Sequence, residues 1–309
     1  MSVDLRAAAV DYLAGRRARG FRLVGHDRLI ASFLDGIDAR GATTITVADA
    51  LSFAQTPLGA QRSTWAARLR PVRGFAAHVH ALDPAAAELV PAGLIVAKVT
   101  RRVPYLYSDE QVAQLMARCQ SLPQPTLAAS MGVLIGLCAA AGLRSGEALA
   151  LDIEDLSLDE ALLTATGKYD RQRLVPLHRS TVEALRAYLH LRAARSTPTG
   201  ALLLGATGGR LNKNTAHKLF RAIVDDCALT ARPGCIGPPR LHDLRHRFAV
   251  NTLIDAHRQD ADVDARVAAL ATYLGHREAA NTYWYLTASA ELMAVVSERV
   301  ADYQERSRP

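Results

Sequence analysis

Apolar residues recur at helical spacing over residues 5–13, 27–38, 47–55 and 63–82, and clusters of Gly, Thr and Pro punctuate them. This pattern predicts a helical N-terminal unit. Pro71 falls inside the last segment and is expected to interrupt it, because proline has no backbone N–H to donate. Over residues 81–104 the periodicity is lost, and Pro84, Pro91 and Pro104 lie there. A linker is expected, ending in the basic run Lys98-Val99-Thr100-Arg101-Arg102. A second unit opens at Ser108-Asp109-Glu110-Gln111, a Ser followed three residues on by Gln, which is a capping-box pattern. Helices are expected to about Cys119, over 126–141 with Gly142 as the stop, and from Arg144 to about Leu151. The period then shortens: 156–166 and 172–177 read as strands around the turn Gly167-Lys168-Tyr169-Asp170. Helical spacing returns at 180–195, 212–227, 242–257, 263–273 and 288–303. The expected layout is a helical unit over 1–92, a linker over 93–104 and a second unit over 105–309. The fold class is mainly α with a small antiparallel β-sheet.

Composition narrows the function classes. About half of the 309 residues are hydrophobic, enough for two sizeable cores. No apolar run approaches the roughly 20 residues of a membrane span; the most apolar stretch, 131–141, reads as a buried helix. The N-terminus, Met-Ser-Val-Asp-Leu-Arg, lacks a basic-then-apolar signal pattern, so a soluble cytoplasmic protein with no membrane partner is expected. Cys119, Cys138, Cys227 and Cys235 show no metal-ligand spacing and are expected to be free thiols, with Cys138 in the core. The net charge of +7 is compatible with a polyanionic partner. It is carried mostly by Arg, whose planar fork suits phosphate.

The candidate chemistry is spread over the second unit. Arg144 and Glu147 are three apart and share a helix face; they form either a surface ion pair or an Arg held in place by a carboxylate. Lys168 at a hairpin tip is either solvated or a mobile proton donor. His242 and Arg245 also share a face. With Asp243 and His246 the pentapeptide superficially resembles a zinc-protease helix, but that motif needs Glu as the base, and Arg245 would put a cation beside the metal. Leu274-Gly275-His276 ends a helix on Gly. Tyr283 and Tyr285 flank Trp284 and point to different sides of a helix, so one of them at most faces a site.

The order of these elements resembles the tyrosine recombinase (phage-integrase-like) family: Arg, strand-turn Lys, His-x-x-Arg, Gly-His, then Tyr nine residues later. The resemblance covers the chain from about Val103 onward. Leu241-His242-x-Leu244-Arg245-His246 and Leu274-Gly275-His276 stand as the family writes them, whereas Ala141-Gly142-Leu143-Arg144 has Ala where Thr is common. The first unit looks like the family's helical, SAM-like core-binding domain, here of the simple type without an arm-binding domain.

The resemblance implies the following chemistry. Arg144 and Arg245 grip the non-bridging oxygens of the scissile phosphate. Tyr285 attacks phosphorus to give a 3′-phosphotyrosyl link, and Lys168 protonates the leaving 5′ oxygen. His242 assists proton transfer, His276 bonds a phosphate oxygen, and Glu147 buttresses Arg144. No cofactor and no metal are expected, since guanidinium and ammonium groups take the electrostatic role of a divalent ion. The implied partner is double-stranded DNA carrying a recombination site, gripped by a tetramer assembled on it. Arg62, Arg68, Arg70 and Arg73 are the candidate backbone contacts of the first unit. The C-terminal segment, 290–303, packs either on its own domain or on a neighbouring protomer. A type IB topoisomerase shares the chemistry, and a DNA-binding relative with a decayed site shares the fold. The separate first unit and the Leu-Gly-His element favour the recombinase.

Overall fold

The computed structural model describes residues 3–97, 103–167, 170–195, 197, 199–231, 235, 237–259, 262–275, 293 and 297. By contacts the chain divides into two compact units, Met1–Arg101 and Arg102–Pro309.

The first unit holds α1 (Leu5–Ala18), α2 (His26–Asp38), α3 (Val47–Gln55) and α4 (Arg62–Leu82). Asp4 caps α1 by accepting from the backbone of Arg6 and Ala7, and Thr46 with Asp49 forms a capping box on α3. The α2 stripe Ile30, Phe33, Leu34 and Ile37 is buried against Leu69, Val72, Phe75 and Val79 of α4. Each such side chain is worth about 1.5–3 kcal/mol of burial. Contrary to expectation, Pro71 does not interrupt α4. The missing N–H costs one ladder bond, but Pro71 is itself buried between Leu69 and Val72, so packing against the core holds the helix through it. Ala86, Ala87 and Val90 belong to the same core, Ile95 packs on it, and Ile45 bridges to Ala87.

In the second unit the Ser108–Gln111 capping box forms and opens α5 (Asp109–Cys119). Next come α6 (Pro125–Ala140) and α7 (Ser145–Ala150). Because α6 is apolar on nearly every side, it is the central helix, with α5, α8 (Arg179–Ala193) and α10 (Leu241–Arg258) packed around it. A single strand was expected over 156–166, but two form, β1 (Leu156–Ser157) and β2 (Leu162–Thr166). The polar pair Asp159-Glu160 and the left-handed Ala161 (φ 53°) turn the chain between them. With β3 (Gln172–Pro176) they make an antiparallel sheet in the order β1-β2-β3. After α9 (Lys213–Asp226) and α10, α11 (Val263–Leu274) packs on α10 through Val250, Leu253, Ile254, Val267, Leu270 and Leu274. No helix of the described residues is long and apolar enough to cross a membrane. The C-terminal helix expected over 288–303 lies outside the described residues.

Candidate active site

The site is built on three element ends. Gly142 closes α6 in the left-handed region (φ 59°), where a Cβ would stand 2.5 Å from Phe248 Cδ1. That turn delivers Arg144 as the N-cap of α7, in extended backbone, so its side chain leaves the helix end instead of lying along it. Glu147, one turn in, accepts from the Arg144 backbone N–H (3.0 Å) and from Arg144 Nη1 (2.6 Å). The second element is β3: Arg173 Nη2 donates to Glu147 Oε2 at 2.8 Å and its Nε to the Tyr273 carbonyl at 2.9 Å. The third is α10, where Arg245 is 1% exposed. Arg245 Nη1 donates to the Gly142 carbonyl and Nη2 to the Leu274 carbonyl, both at 2.6 Å, and Nη1 lies 3.9 Å from Glu147.

Three guanidiniums thus surround one carboxylate. Burial works to raise the Glu147 pKa, but the Arg173 hydrogen bond, the Arg144 N–H and the Arg144 guanidinium hold it at about 2. Arg144 keeps a third of its side chain exposed, and the carboxylate fixes the direction of its guanidinium. Arg144 Nη2 also lies 3.4 Å from the carbonyl of Gly275, the left-handed cap of α11 (φ 65°). His242 stands near this cluster with its surface exposed. Surrounding protein and the Arg245 charge push its pKa down to about 4, so the imidazole is neutral at pH 7. Its ring meets that of His246 edge-on at 4.6 Å. Asp243, which the zinc reading would need as a base, is committed elsewhere: with Arg240 it caps α10, one oxygen accepting the Arg240 backbone N–H at 2.9 Å and the other Arg240 Nη2 at 2.8 Å. Among the described residues no group of three or more His, Cys, Asp or Glu side chains is placed to hold a metal ion.

The structure therefore brings together Arg144, Glu147, His242 and Arg245. Lys168, His276 and Tyr285 lie outside the described residues. Gly167, which precedes Lys168, would carry a Cβ 3.6 Å from Glu147 Oε1. In the first unit Arg62 and Arg70 are exposed on α4, and Arg73 is half-buried. Arg68 lies over the Phe53 ring at 4.4 Å and donates to the Phe53 carbonyl, tying α4 to α3. Arg173 was missed as a site residue. Its only signal is an Arg as the second residue of the strand, and its partners lie 26 and 100 residues away.

Comparison with known proteins agrees with this architecture. The chain is 37% identical to the integrase/recombinase y4rB of Sinorhizobium fredii over 96% of each chain. It is 31% identical to the tyrosine recombinase XerC of Mycobacterium tuberculosis over 88% of each. Among solved structures, a lambda integrase dimer bound to a COC′ core site matches with a TM-score of 0.62 at 16% identity, covering 92% of this chain and 77% of that one. The Tn1549 transposon integrase in complex with transposon right end DNA matches with a TM-score of 0.60 at 15% identity, covering 95% and 99%. At such identities these two likenesses speak for the fold. The phage integrase family profile matches residues 106–291, and on that match and the whole-length relatives the chain belongs to the phage integrase family of tyrosine recombinases.

Proposed function

We propose that this chain is a site-specific DNA recombinase that cuts and rejoins duplex DNA through a 3′-phosphotyrosyl intermediate on Tyr285. The observation that carries this is the cluster of Arg144, Arg173 and Arg245 on the single carboxylate of Glu147, which leaves two positive charges in excess at a partly open surface. A phosphodiester supplies the missing negative charge, and the pentavalent transition state supplies more. Arg144, the most exposed of the three, is the ligand for a non-bridging oxygen. Arg245 adds its charge from beneath and holds the turns on either side in register. Neutral His242 accepts a proton or shares one with the phosphate. Lys168, next to Gly167 in the chain, is the donor to the 5′ oxygen, and His276, next to Gly275, is a further phosphate ligand. No metal is needed for these steps. The recombinase acts as a tetramer assembled on DNA, in the movement of a mobile element, and as a cytoplasmic protein. Residues 1–92 form its core-binding domain, 93–104 the linker and 105–309 the catalytic domain, with Arg62, Arg70 and Arg73 on phosphates of the bound duplex.

The test is a covalent adduct. The protein is incubated with a pool of nicked suicide duplexes tiled across the DNA flanking its gene, in the presence of a chelator. A protease-sensitive, phosphotyrosyl-linked adduct that Tyr285→Phe abolishes is expected. No adduct, or one that survives Tyr285→Phe, overturns the assignment. Loss with Tyr283→Phe in its place moves the nucleophile by two residues, and loss in chelator alone overturns the metal-free mechanism. Relaxation of supercoiled plasmid by the monomer, without site preference, would favour the topoisomerase reading.

A further inference from the structure

In an antiparallel pair, directly opposed residues share a face. Leu163 faces Val175, and both are fully buried; the next pair of the same face is Ala165 with Arg173. The pleat of β3 therefore sends a guanidinium to the core side of the sheet. Ala165, small and fully buried, leaves room for its stem. The side chain is 15% exposed, and the carboxylate it pairs with, Glu147, lies outside its own hairpin. It crosses to Glu147 on α7 and to the last turn of α11, and its Cδ passes 3.4 Å from where Gly275 would carry a Cβ. A β-branched or larger residue at 275 would displace it.

Each of its two partners leads to a different part of the site. Glu147 Oε2 receives Arg173 and the Arg144 backbone N–H, and Oε1 receives the Arg144 guanidinium. The Tyr273 carbonyl lies two residues before Gly275, whose own carbonyl lies against Arg144. Arg173 is thus the tie among the strand following Lys168, the carboxylate that aims Arg144, and the helix end that precedes His276. Resting on the recombinase reading above, we propose that Arg173 is a positioning residue of the strand-cleavage site, fixing Glu147 and with it the direction of Arg144 without touching the scissile phosphate itself.

Removing Arg173 has two separable consequences. One is geometric: Arg144 loses its fixed anchor, and misplacement of a reacting group by about 1 Å costs on the order of a hundredfold in rate. The other is electrostatic. The groups facing Glu147 are Arg144 from α7, Arg173 from β3, Arg245 from α10 and the Cys138 thiol from α6, with Tyr273 of α11 beside Arg173. Arg173 makes the strongest of the interactions that oppose the burial of this carboxyl. Without it, burial raises the Glu147 pKa, and acid should disarm the variant where it leaves the wild type intact.

The test uses the full-length chain on a suicide duplex that the wild type cleaves, comparing Arg173→Gln and Arg173→Lys. Single-turnover cleavage and DNA affinity are both followed from about pH 8 to about pH 5. For Arg173→Gln, affinity close to wild type is expected, with cleavage about a hundredfold slower and falling further as the pH drops. Arg173→Lys retains the charge on Glu147 but not the bond to Tyr273; it should recover the flat acid limb and part of the rate. Wild-type rate and profile in Arg173→Gln would overturn the proposal, as would a slowed rate whose pH profile is unchanged and whose DNA affinity falls in step. If circular dichroism shows Arg173→Gln unfolded, Arg173→Lys decides: a reduced rate with DNA affinity kept supports the role, and the wild-type rate overturns it. Absence of an adduct with the wild type fails the recombinase reading itself, before any variant is compared.

Discussion

Glu147 is 5% exposed and accepts from two arginines, with a third 3.9 Å away. Its lowered pKa is a statement about stability. The group is ionised in the folded chain down to about pH 2, whereas its ordinary value is 4.5. The contribution is complete above about pH 4.5 and is lost as the pH falls toward 2. Glu147→Gln keeps the shape but leaves buried guanidiniums unbalanced, which should cost about 3–5 kcal/mol in urea unfolding at neutral pH. A loss under about 1 kcal/mol would mean that solvent, not Glu147, balances them. His242 runs the other way. Its folded pKa of about 4 lies below the ordinary 6.5, so the unfolded chain takes up a proton that the folded chain refuses. Stability should therefore decline as the pH drops from about 6.5 to 4, and His242→Gln should flatten that part of the curve. At this scale the part of the cluster that the described residues contain was legible, apart from Arg173. Arg144 and Glu147 are local partners, and His242 and Arg245 stand in a recognisable order. What a linear reading could not give is the assignment of donors. Arg245 reads as an open phosphate fork, yet its terminal amino groups bond carbonyls 103 and 29 residues away.

Among the elements, local chemistry was a reliable guide and packing was not. The Ser108 capping box and the Gly142 stop are written in neighbouring residues and formed as read. The continuity of α4 through Pro71 is decided by the α2 stripe across from it, and the division between β1 and β2 by Ala161 adopting a positive φ that no Gly announces. Gly142 connects the two kinds of information, since it ends a helix locally and accepts from Arg245 at long range. Gly142→Ala meets the Phe248 ring at 2.5 Å in a left-handed backbone. It should destabilise by about 1–3 kcal/mol and slow cleavage more than it weakens DNA binding. Thermal unfolding with a parallel cleavage assay tests both parts, and an alanine variant with wild-type melting would show that α6 and α10 can separate at no cost.

For the whole molecule, two units with separate cores give a direct expectation. The first has a core of α1 to α4 residues, and the second has its own around α6. A fragment of residues 1–101 should be helical and melt cooperatively alone. Its DNA binding should be weak and salt-dependent, and neutralising Arg62 or Arg70 should lower the slope of log affinity against log salt by about one each. A fragment without helical circular dichroism would mean that the first unit needs the second to fold.

The three-to-one ratio of guanidinium to carboxylate also bears on how the protein should be handled. Like charges gathered around a single counter-charge raise the energy of the folded chain, and any oxyanion that settles there returns that energy as ligand-linked stability. Sulfate, phosphate or vanadate should stabilise the fold by about 2.7 kcal/mol at a hundred times the dissociation constant, so that the melting temperature climbs with the logarithm of ligand concentration, and the effect should vanish in Arg144→Ala. Under the function proposed above, a nucleic acid seated on this surface would be a structural component of the enzyme as well as its substrate.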